Sequence, residues 1–279
     1  CERGCGIRLA FLPEELLDPL ARALEDRGLQ LAVAVLPDVE LTSEDFVPRF
    51  LQEWACDGLL INYNKEIPAR LVRELEEHTV PSVWLNCKRT HDCVYPDDFA
   101  GARQATERLL ALGHRRIDYA SYSLNTAAVH YSEPDRMQGY AAAMRTAGLP
   151  VRSHTPALET SPPDRLGHAR SLLTQTDRPT AIVTYGNTTA MPILLAAAEQ
   201  GVRVPDDLSV VTFDNSPVYL GRSISTMVVP CAETARTAVG MLLQTIDSGR
   251  TAAAPEAVPY TEFSGSTCAS HNTAEGVAL

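Results

Sequence analysis

The sequence predicts an α/β fold with two doubly wound parallel-sheet lobes, on three observations. Short apolar runs of strand length alternate with segments whose apolar residues recur at helical spacing. Glycines such as Gly28, Gly148 and Gly201 follow the helical segments, as is typical of helix ends. The alternation restarts after Gly113. Because parallel strands need helical crossovers, each half of the pattern predicts a sheet with helices on both faces.

The first half of the pattern contains four strand–helix units. The predicted strands are 7–12, 29–36, 58–61 and 82–85. The predicted helices are 14–27, 43–54, 68–77 and 98–112. Four such units in succession are enough to predict one lobe around its own parallel sheet.

The second half repeats this order and then adds a return segment. The predicted strands are 117–121, about 154–158, 181–183, 209–213, 224–229 and 258–263. The predicted helices are 135–147, about 164–173, 188–200 and 235–246. The small polar stretch from Ser264 onward is expected to fray, above all 269–279.

Composition and charge exclude several function classes. A net charge of −11 disfavours direct binding to DNA phosphates, which needs a basic surface. Seven scattered cysteines are an odd number without a disulfide framework and predict a reducing, cytoplasmic setting. No apolar run is long enough to span a bilayer, and the first residues do not resemble a signal peptide. We therefore expect no membrane partner.

Motifs for cofactor, metal or nucleophile chemistry are weak or missing in the sequence. Gly4 and Gly6 precede the first predicted strand, whereas a dinucleotide phosphate sits at the turn after one. The sequence contains neither GxxxxGK[ST] nor GxSxG. Cys87, His91 and Cys93 lack a fourth ligand at metal-site spacing and are interpreted as incidental loop residues. We expect no cofactor, no metal and no catalytic activity.

One further histidine has two possible roles. His114 follows Gly113 at a predicted helix end and precedes a new strand. There its imidazole can either cap the terminal helix carbonyls or turn toward a cleft. Capping is the interpretation that this position favours.

Several segments in the same order carry a family resemblance. They are GARQATERLLALGHRRI at 101–117, RxxGY at 136–140, RPTA at 178–181, GVRVPDDLSVVTFD at 201–214, and Ser225, Thr226 and Pro230. Together they resemble the effector-binding domain of LacI/GalR-type bacterial transcription regulators. The resemblance extends over most of residues 7–246.

The resemblance implies a type I periplasmic-binding-protein-like pair of lobes joined by three crossovers. The N-terminal lobe would comprise 1–113 and 226–250, and the C-terminal lobe 114–225 and 251–268. A small polar effector, such as a sugar or sugar derivative, would bind between the lobes and close them. Operator DNA would be contacted only through a helix-turn-helix that this sequence does not contain.

The resemblance also implies a homodimer formed through first-lobe helices. The candidate helices follow Ser43 and Pro68. Their apolar residues could equally be ordinary core: Leu51, Trp54, Leu71 and Leu75.

Departures from the family pattern leave the identity of the ligand open. The loop FLPEELL after the first strand is short, so one wall of the usual site is missing or rebuilt. Gly186 and Asn187 occupy the position of an Asn-Asp pair, and Ser264 stands where arginine is common. Asn187 could still cap the following helix.

Arg136 and Asp214 are the main candidates for ligand contacts. A guanidinium offers paired donors to hydroxyls or a carboxylate, and Asp214 ends a predicted strand at the carboxyl edge of its sheet. The alternative is that the two side chains only bridge each other. The remaining candidates are His130, Ser132, Tyr185 and Asn187, with Asp97 and Asp98 expected on the opposing lobe.

Two other function classes stay open at this point. A secreted solute-binding protein of a sugar transporter would share the architecture. An α/β enzyme acting on sugars would need a nucleophile motif or paired carboxylates, which the sequence does not show.

Overall fold

The computed structural model describes residues 12–34, 56–62, 67–122, 129–155, 162–215, 218–219, 221–249 and 252–271. The chain divides into two compact units. The first comprises Cys1–Pro96 and Pro230–Val258, and the second Asp97–Val229 and Pro259–Leu279. Among the described residues, no helix is long and apolar enough to cross a membrane.

The first unit is built on a four-stranded parallel sheet. Its strands are β1 (Leu59–Asn62), β2 (Ser82–Leu85), β3 (Cys93–Pro96) and β11 (Glu256–Val258), paired in that order. Its helices are α1 (Glu14–Glu25), α2 (Ala69–Glu77) and α7 (Cys231–Asp247). Alternate residues of β2 point to opposite faces. Val83 and Leu85 pack with α1 and α7, while Trp84 packs with α2.

The second unit is built on a six-stranded sheet in the order β12-β10-β7-β6-β4-β5. Its strands are β4 (Ile117–Ala120), β5 (Ser153–His154), β6 (Ala181–Thr184), β7 (Ser209–Asp214), β10 (Ser225–Val228) and β12 (Phe263–Ser264). Its helices are α3 (Asp98–Ala111), α4 (Ser132–Thr146), α5 (Pro162–Leu173) and α6 (Asn187–Glu199). All neighbours are parallel except β10 and β12. A short separate hairpin joins β8 (Val218–Tyr219) and β9 (Arg222–Ser223).

The central strands of the second unit are buried and mainly apolar because both faces of the sheet are covered. Val183 and Val211 pack with α3 and α4, whereas Ile182 and Val210 pack with α5 and α6. The predicted doubly wound α/β class is therefore confirmed.

Most predicted elements appear within a few residues of their expected bounds, but two predicted strands differ and some observed strands were not predicted. The strand predicted at 29–36 is not formed by residues 29–34, and residues 35 and 36 lie outside the described residues. The predicted helix 43–54 and residues 7–11 of the first predicted strand also lie outside them. β3 was not predicted. The single strand expected at 258–263 is instead β11 and β12, which belong to different sheets.

The boundary between the units differs from the predicted one at Gly113. The first unit ends at Pro96, so α3 belongs with the second unit. The reason is that α3 packs closely on α4 of the second unit. At Gly139 of α4 the two helices are so close that an added Cβ would overlap the Phe99 carbonyl oxygen of α3. Residues 251–258 were predicted in the C-terminal lobe but belong to the first unit, because β11 pairs with β3.

Leu71 and Leu75 are core residues of the first unit. Both lie buried in the cluster that packs α2 against Trp84 and Cys93. They are therefore not available for the predicted dimer interface. Leu51 and Trp54 lie outside the described residues.

The segment after β12 is ordered as far as His271, contrary to the expected fraying. Thr267 is buried, its hydroxyl donates to the Val210 carbonyl at 2.6 Å, and its amide donates to Ser225 Oγ at 2.9 Å. The His271 amide donates to the Leu112 carbonyl at 2.7 Å. Residues 272–279 lie outside the described part.

His114 holds this segment and does not cap its helix. Its Nδ1 lies 3.0 Å from Thr180 Oγ1, and its Nε2 lies 3.0 Å from Ser209 Oγ and 3.1 Å from the Ala269 carbonyl. The ring stacks on His271 at 5.2 Å. Burial lowers the pKa of His114 to about 4, so the imidazole is neutral at neutral pH.

We expect His114 to make the second unit acid-sensitive. Its folded-state pKa lies below the ordinary value of 6.5, so the unfolded chain binds the proton first as pH falls. Stability should decline from about pH 6.5 to about pH 4, by about 3 kcal/mol in total. Urea unfolding across this range measures the slope. A His114→Gln variant with an unchanged slope would contradict the assignment.

Candidate functional site

The carboxyl edge of the second sheet gathers most of the predicted site residues. Tyr185 directly follows β6, and Asp214 ends β7. Ser132 begins α4, which is the helix that follows β4. Ligands of open α/β sheets bind outside the carboxyl ends of the strands, so this edge is the candidate site.

Arg136 and Asp98 form a buried ion pair at this edge. Arg136 Nε donates to Asp98 Oδ1 at 2.6 Å, and the side chains are 11% and 1% exposed. Tyr260 completes the arrangement, because its hydroxyl donates to the same carboxylate oxygen at 2.8 Å and lies 3.2 Å from Arg136 Nη2. Among the described residues Arg136 pairs with Asp98 and not with Asp214, which removes the bridging alternative.

The Arg136 guanidinium is also fixed by contacts on its other sides. Nη1 donates to the Tyr185 carbonyl, and the guanidinium carbon lies 4.5 Å from the Phe213 ring centroid and 5.1 Å from that of Tyr185. These hydrogen bonds use three of the five N–H groups of the guanidinium. Its direction is set by the protein before any ligand arrives.

In this cluster Arg136 is charged and the Tyr260 hydroxyl is protonated. Burial by itself would lower the pKa of Arg136, but Tyr260, Asp98 and Tyr185 together raise it, so the guanidinium stays charged. Burial raises the pKa of Tyr260 far above its usual range, so its hydroxyl remains a donor. The opposite charges of Arg136 and Asp98 balance each other within the pair.

His130, Ser132 and Tyr185 form a short polar chain beside the ion pair. Ser132 Oγ lies 2.7 Å from His130 Nδ1 and 2.9 Å from the Tyr185 hydroxyl. Burial raises the pKa of Tyr185, so the phenol is protonated at neutral pH. The chain offers both donors and acceptors, which suits a ligand that carries hydroxyl groups.

Asp214 is the last residue of β7, and Asn187 is the first residue of α6, the helix that follows β6. One Asp214 carboxylate oxygen accepts the Asn215 amide at 2.8 Å, and its side chain is partly exposed. Asn187 is the first residue of α6, its side chain does not cap the helix, and its buried Oδ1 accepts no hydrogen bond from the described residues. An unsatisfied buried acceptor costs about 1–3 kcal/mol, which a donor on a ligand would relieve.

Asp97 and Asp98 belong to the second unit, so their expected place on the opposing lobe is wrong. Asp97 caps α3 by accepting the Ala100 amide at 3.0 Å. Asp98 is buried beneath the site by its pair with Arg136. A ligand contact by either residue stays a prediction.

Three aromatic residues at the site were not predicted from the sequence. Tyr260 and Phe213 contact the Arg136 cluster, and Tyr131 lies close enough to Asp98 that the carboxylate, after burial, helps to raise its pKa. Tyr131 could have been found from its position beside Ser132. Tyr260 is 124 residues from Arg136, and no local pattern connects the two.

The cysteines near β3 do not assemble a metal centre. Burial raises the pKa of Cys87 to about 12, so the metal-binding thiolate is disfavoured. His91 Nδ1 instead pairs with Asp92 Oδ2 at 2.8 Å, and Cys93 lies in β3 and not in a loop. In the described ranges, no group of three or more His, Cys, Asp or Glu residues could hold a metal ion.

Comparison with known proteins identifies the family. Residues 106–268, more than half of the chain, match the periplasmic binding protein-like domain. The chain belongs to this family. The match covers the end of α3 from residue 106, the six strands of the second sheet, and α4 with Arg136, whereas Asp98 lies before it.

Sequence relatives of this periplasmic-binding-protein-like chain are transcription repressors. It is 33% identical over 210 residues to the HTH-type transcriptional repressor PurR of Yersinia pestis bv. Antiqua (strain Antiqua). The alignment covers 72% of the chain and 60% of the repressor, so the chain spans less than two thirds of that relative's length. The predicted resemblance to LacI/GalR effector-binding domains is confirmed.

Solved structures agree on the fold. A LacI family regulator from Mycobacterium smegmatis has a TM-score of 0.70 at 25% identity, covering 92% of this chain and 94% of that one. A LacI family regulator from Enterococcus faecium with bound ribose has a TM-score of 0.72 at 20% identity, covering 94% and 97%. The second likeness bears on the fold alone.

Proposed function

We propose that this chain is the ligand-sensing part of a LacI/GalR-type transcription regulator. The observation that carries the proposal is the polar cluster at the carboxyl edge of the second sheet. The Yersinia pestis relative, which aligns with most of this chain, is named a transcriptional repressor. The cluster lies where open α/β sheets bind ligands. No reaction step is assigned to it.

The effector is a small, hydroxyl-rich molecule such as a sugar or sugar derivative. Asp214 offers carboxylate acceptors, and Ser132, His130 and Tyr185 offer mixed donors and acceptors. Arg136 supplies its remaining N–H groups, with Asp98 holding it in place. The ribose bound by the Enterococcus faecium regulator supports this ligand class.

Contact with operator DNA is assigned to a helix-turn-helix outside this sequence. The net charge of −11 opposes phosphate binding by the chain itself, and the Yersinia pestis relative is named as an HTH-type repressor. Effector binding with lobe closure would then change the placement of the DNA-binding segments in a cytoplasmic homodimer.

A thermal-shift screen tests the sensing role. A ligand that binds only the folded chain raises its apparent stability by mass action, by about 2.7 kcal/mol at a hundredfold excess over Kd. We expect one class among sugars, sugar acids, polyols and nucleobases to raise the melting temperature without being consumed. Steady turnover of the stabilising compound would replace the sensing role with an enzymatic one.

We expect the homodimer to use α6 of the second unit. Met191 and Leu195 lie one helical turn apart and are 38% and 41% exposed, which is unusual for large apolar side chains. Changing both to glutamate should shift sedimentation from dimer to monomer. The exposed pair Glu233→Ala and Arg236→Ala on α7 provides the matched control. A wild-type chain that sediments as a monomer would contradict the proposal.

A further inference from the structure

The second unit contains a pocket that shares no residue with the carboxyl-edge cluster. It has a volume of about 290 Å³, near the lower limit for small-molecule sites. It lies between the edge strand β5 and the helix α5. The lining residues are Tyr122, Ser153, His154, Thr155, His168, Ser171, Leu172 and Gln175.

The lining is polar but carries no carboxylate, lysine or arginine among the described residues. Hydroxyl groups come from Ser153, Thr155 and Ser171, and an amide comes from Gln175. Each of these groups both donates and accepts hydrogen bonds. Such a lining fits an uncharged ligand with several hydroxyls better than an ion, whose charge it could not balance.

His154 is held in a fixed orientation by buried charge behind it. Its Nε2 lies 2.7 Å from Asp118 Oδ2, and Asp118 is fully buried. Arg152 Nε lies 3.2 Å from the other carboxylate oxygen and balances the charge. The carboxylate occupies Nε2 and leaves Nδ1 as the imidazole nitrogen for another partner.

Tyr122 brings a buried polar atom without a partner to the same pocket. Its side chain is 1% exposed, and its hydroxyl has no hydrogen-bond partner among the described residues. Burial raises its pKa to about 12, so the hydroxyl is a protonated donor at neutral pH. Its ring centroid lies 6.4 Å from that of His168, which places an aromatic group beside the hydroxyls. A buried hydroxyl is normally satisfied, and its lack of a partner points to a ligand.

We propose that this pocket is a second small-molecule site, which binds a neutral polyhydroxylated compound of monosaccharide size. The Tyr122 hydroxyl, His154, Gln175 and the hydroxyls of Ser153, Thr155 and Ser171 would hydrogen-bond the ligand, and Leu172 would contact its apolar face. The proposed site shares no residue with the Arg136 cluster.

Imidazole resonances of His154 and His168 test the second site. The Asp214→Ala chain, in which the effector site is impaired, is titrated at millimolar concentration with D-ribose, D-glucose or myo-inositol. At least one probe should shift both resonances in a saturable way. A variant with Ser171→Val and Gln175→Leu keeps both reporters and should lose the shift while its melting temperature stays near that of the parent.

The outcomes separate the second site from the effector site. Saturable shifts that survive Asp214→Ala and vanish in the pocket variant support the proposal, whether or not the effector site binds the same probe. It fails if none of the three compounds shifts the two histidines. A response to inorganic phosphate alone, or one that persists in the folded pocket variant, also overturns it.

Discussion

Replacing Arg136 by methionine is expected to lower the free energy of unfolding by about 3–5 kcal/mol, because the change leaves the Asp98 carboxylate buried without its cation. Methionine preserves much of the side-chain volume, so the loss reports the charge and the hydrogen bonds more than a cavity. Urea unfolding of the purified chain measures it. The loss would be a large share of a typical domain's stability.

A double variant separates the ion pair from the surrounding packing. In Arg136→Met with Asp98→Asn no buried charge is left without a partner, so it should be more stable than Arg136→Met alone. Arg136→Lys should be intermediate, because an ammonium cannot reproduce the forked hydrogen bonds to Asp98, Tyr185 and Tyr260. A single Arg136→Met variant as stable as the wild type would show that the pair contributes nothing.

Gly139→Ala is expected to destabilise the second unit strongly. The added Cβ would overlap the Phe99 carbonyl oxygen and approach the Arg103 amide nitrogen, and both are backbone atoms of α3. Helix α3 must then move away from α4, at a cost of about 3 kcal/mol or more. Thermal and urea unfolding measure this cost.

Gly167 provides the matched control for this prediction. It lies inside α5, and a Cβ built there meets nothing within 4 Å. Alanine at that position should stabilise the chain by about 0.4–1 kcal/mol, because it restricts the unfolded chain without a clash. Equal stability of the two alanine variants would mean that α3 and α4 do not depend on the close approach at Gly139.

Local sequence patterns predicted the helices and the central strands because burial on both faces leaves continuous apolar runs. The run at Ser82–Leu85 shows this most clearly, since its predicted and observed bounds agree. β3 was missed because its apolar run of Cys93, Val94 and Tyr95 is short and is followed by Pro96, a residue depleted in strands. The ordered conformation of the residues after β12 depends on the hydrogen bonds of His114 with Thr180 and Ser209, which are distant in sequence.

The site was predictable only where a single motif contained it. The RxxGY spacing located Arg136, and the end of a strand located Asp214. The partner of Arg136 was not predictable, because the assignment of Asp98 to a unit depends on how α3 packs on α4. Tyr260 reaches the cluster only through the return of the chain after β11.

The most direct measurement is calorimetric titration of the best-stabilising sugar or polyol into the wild-type chain and two aspartate variants. Asp214→Ala should weaken binding by about 1–3 kcal/mol, roughly 5- to 150-fold in Kd, with the fold intact. Asp206→Ala, a change at an exposed side chain paired with Arg203, should bind as the wild type does. If Asp214→Ala also binds like the wild type, the effector site does not lie at this edge of the sheet.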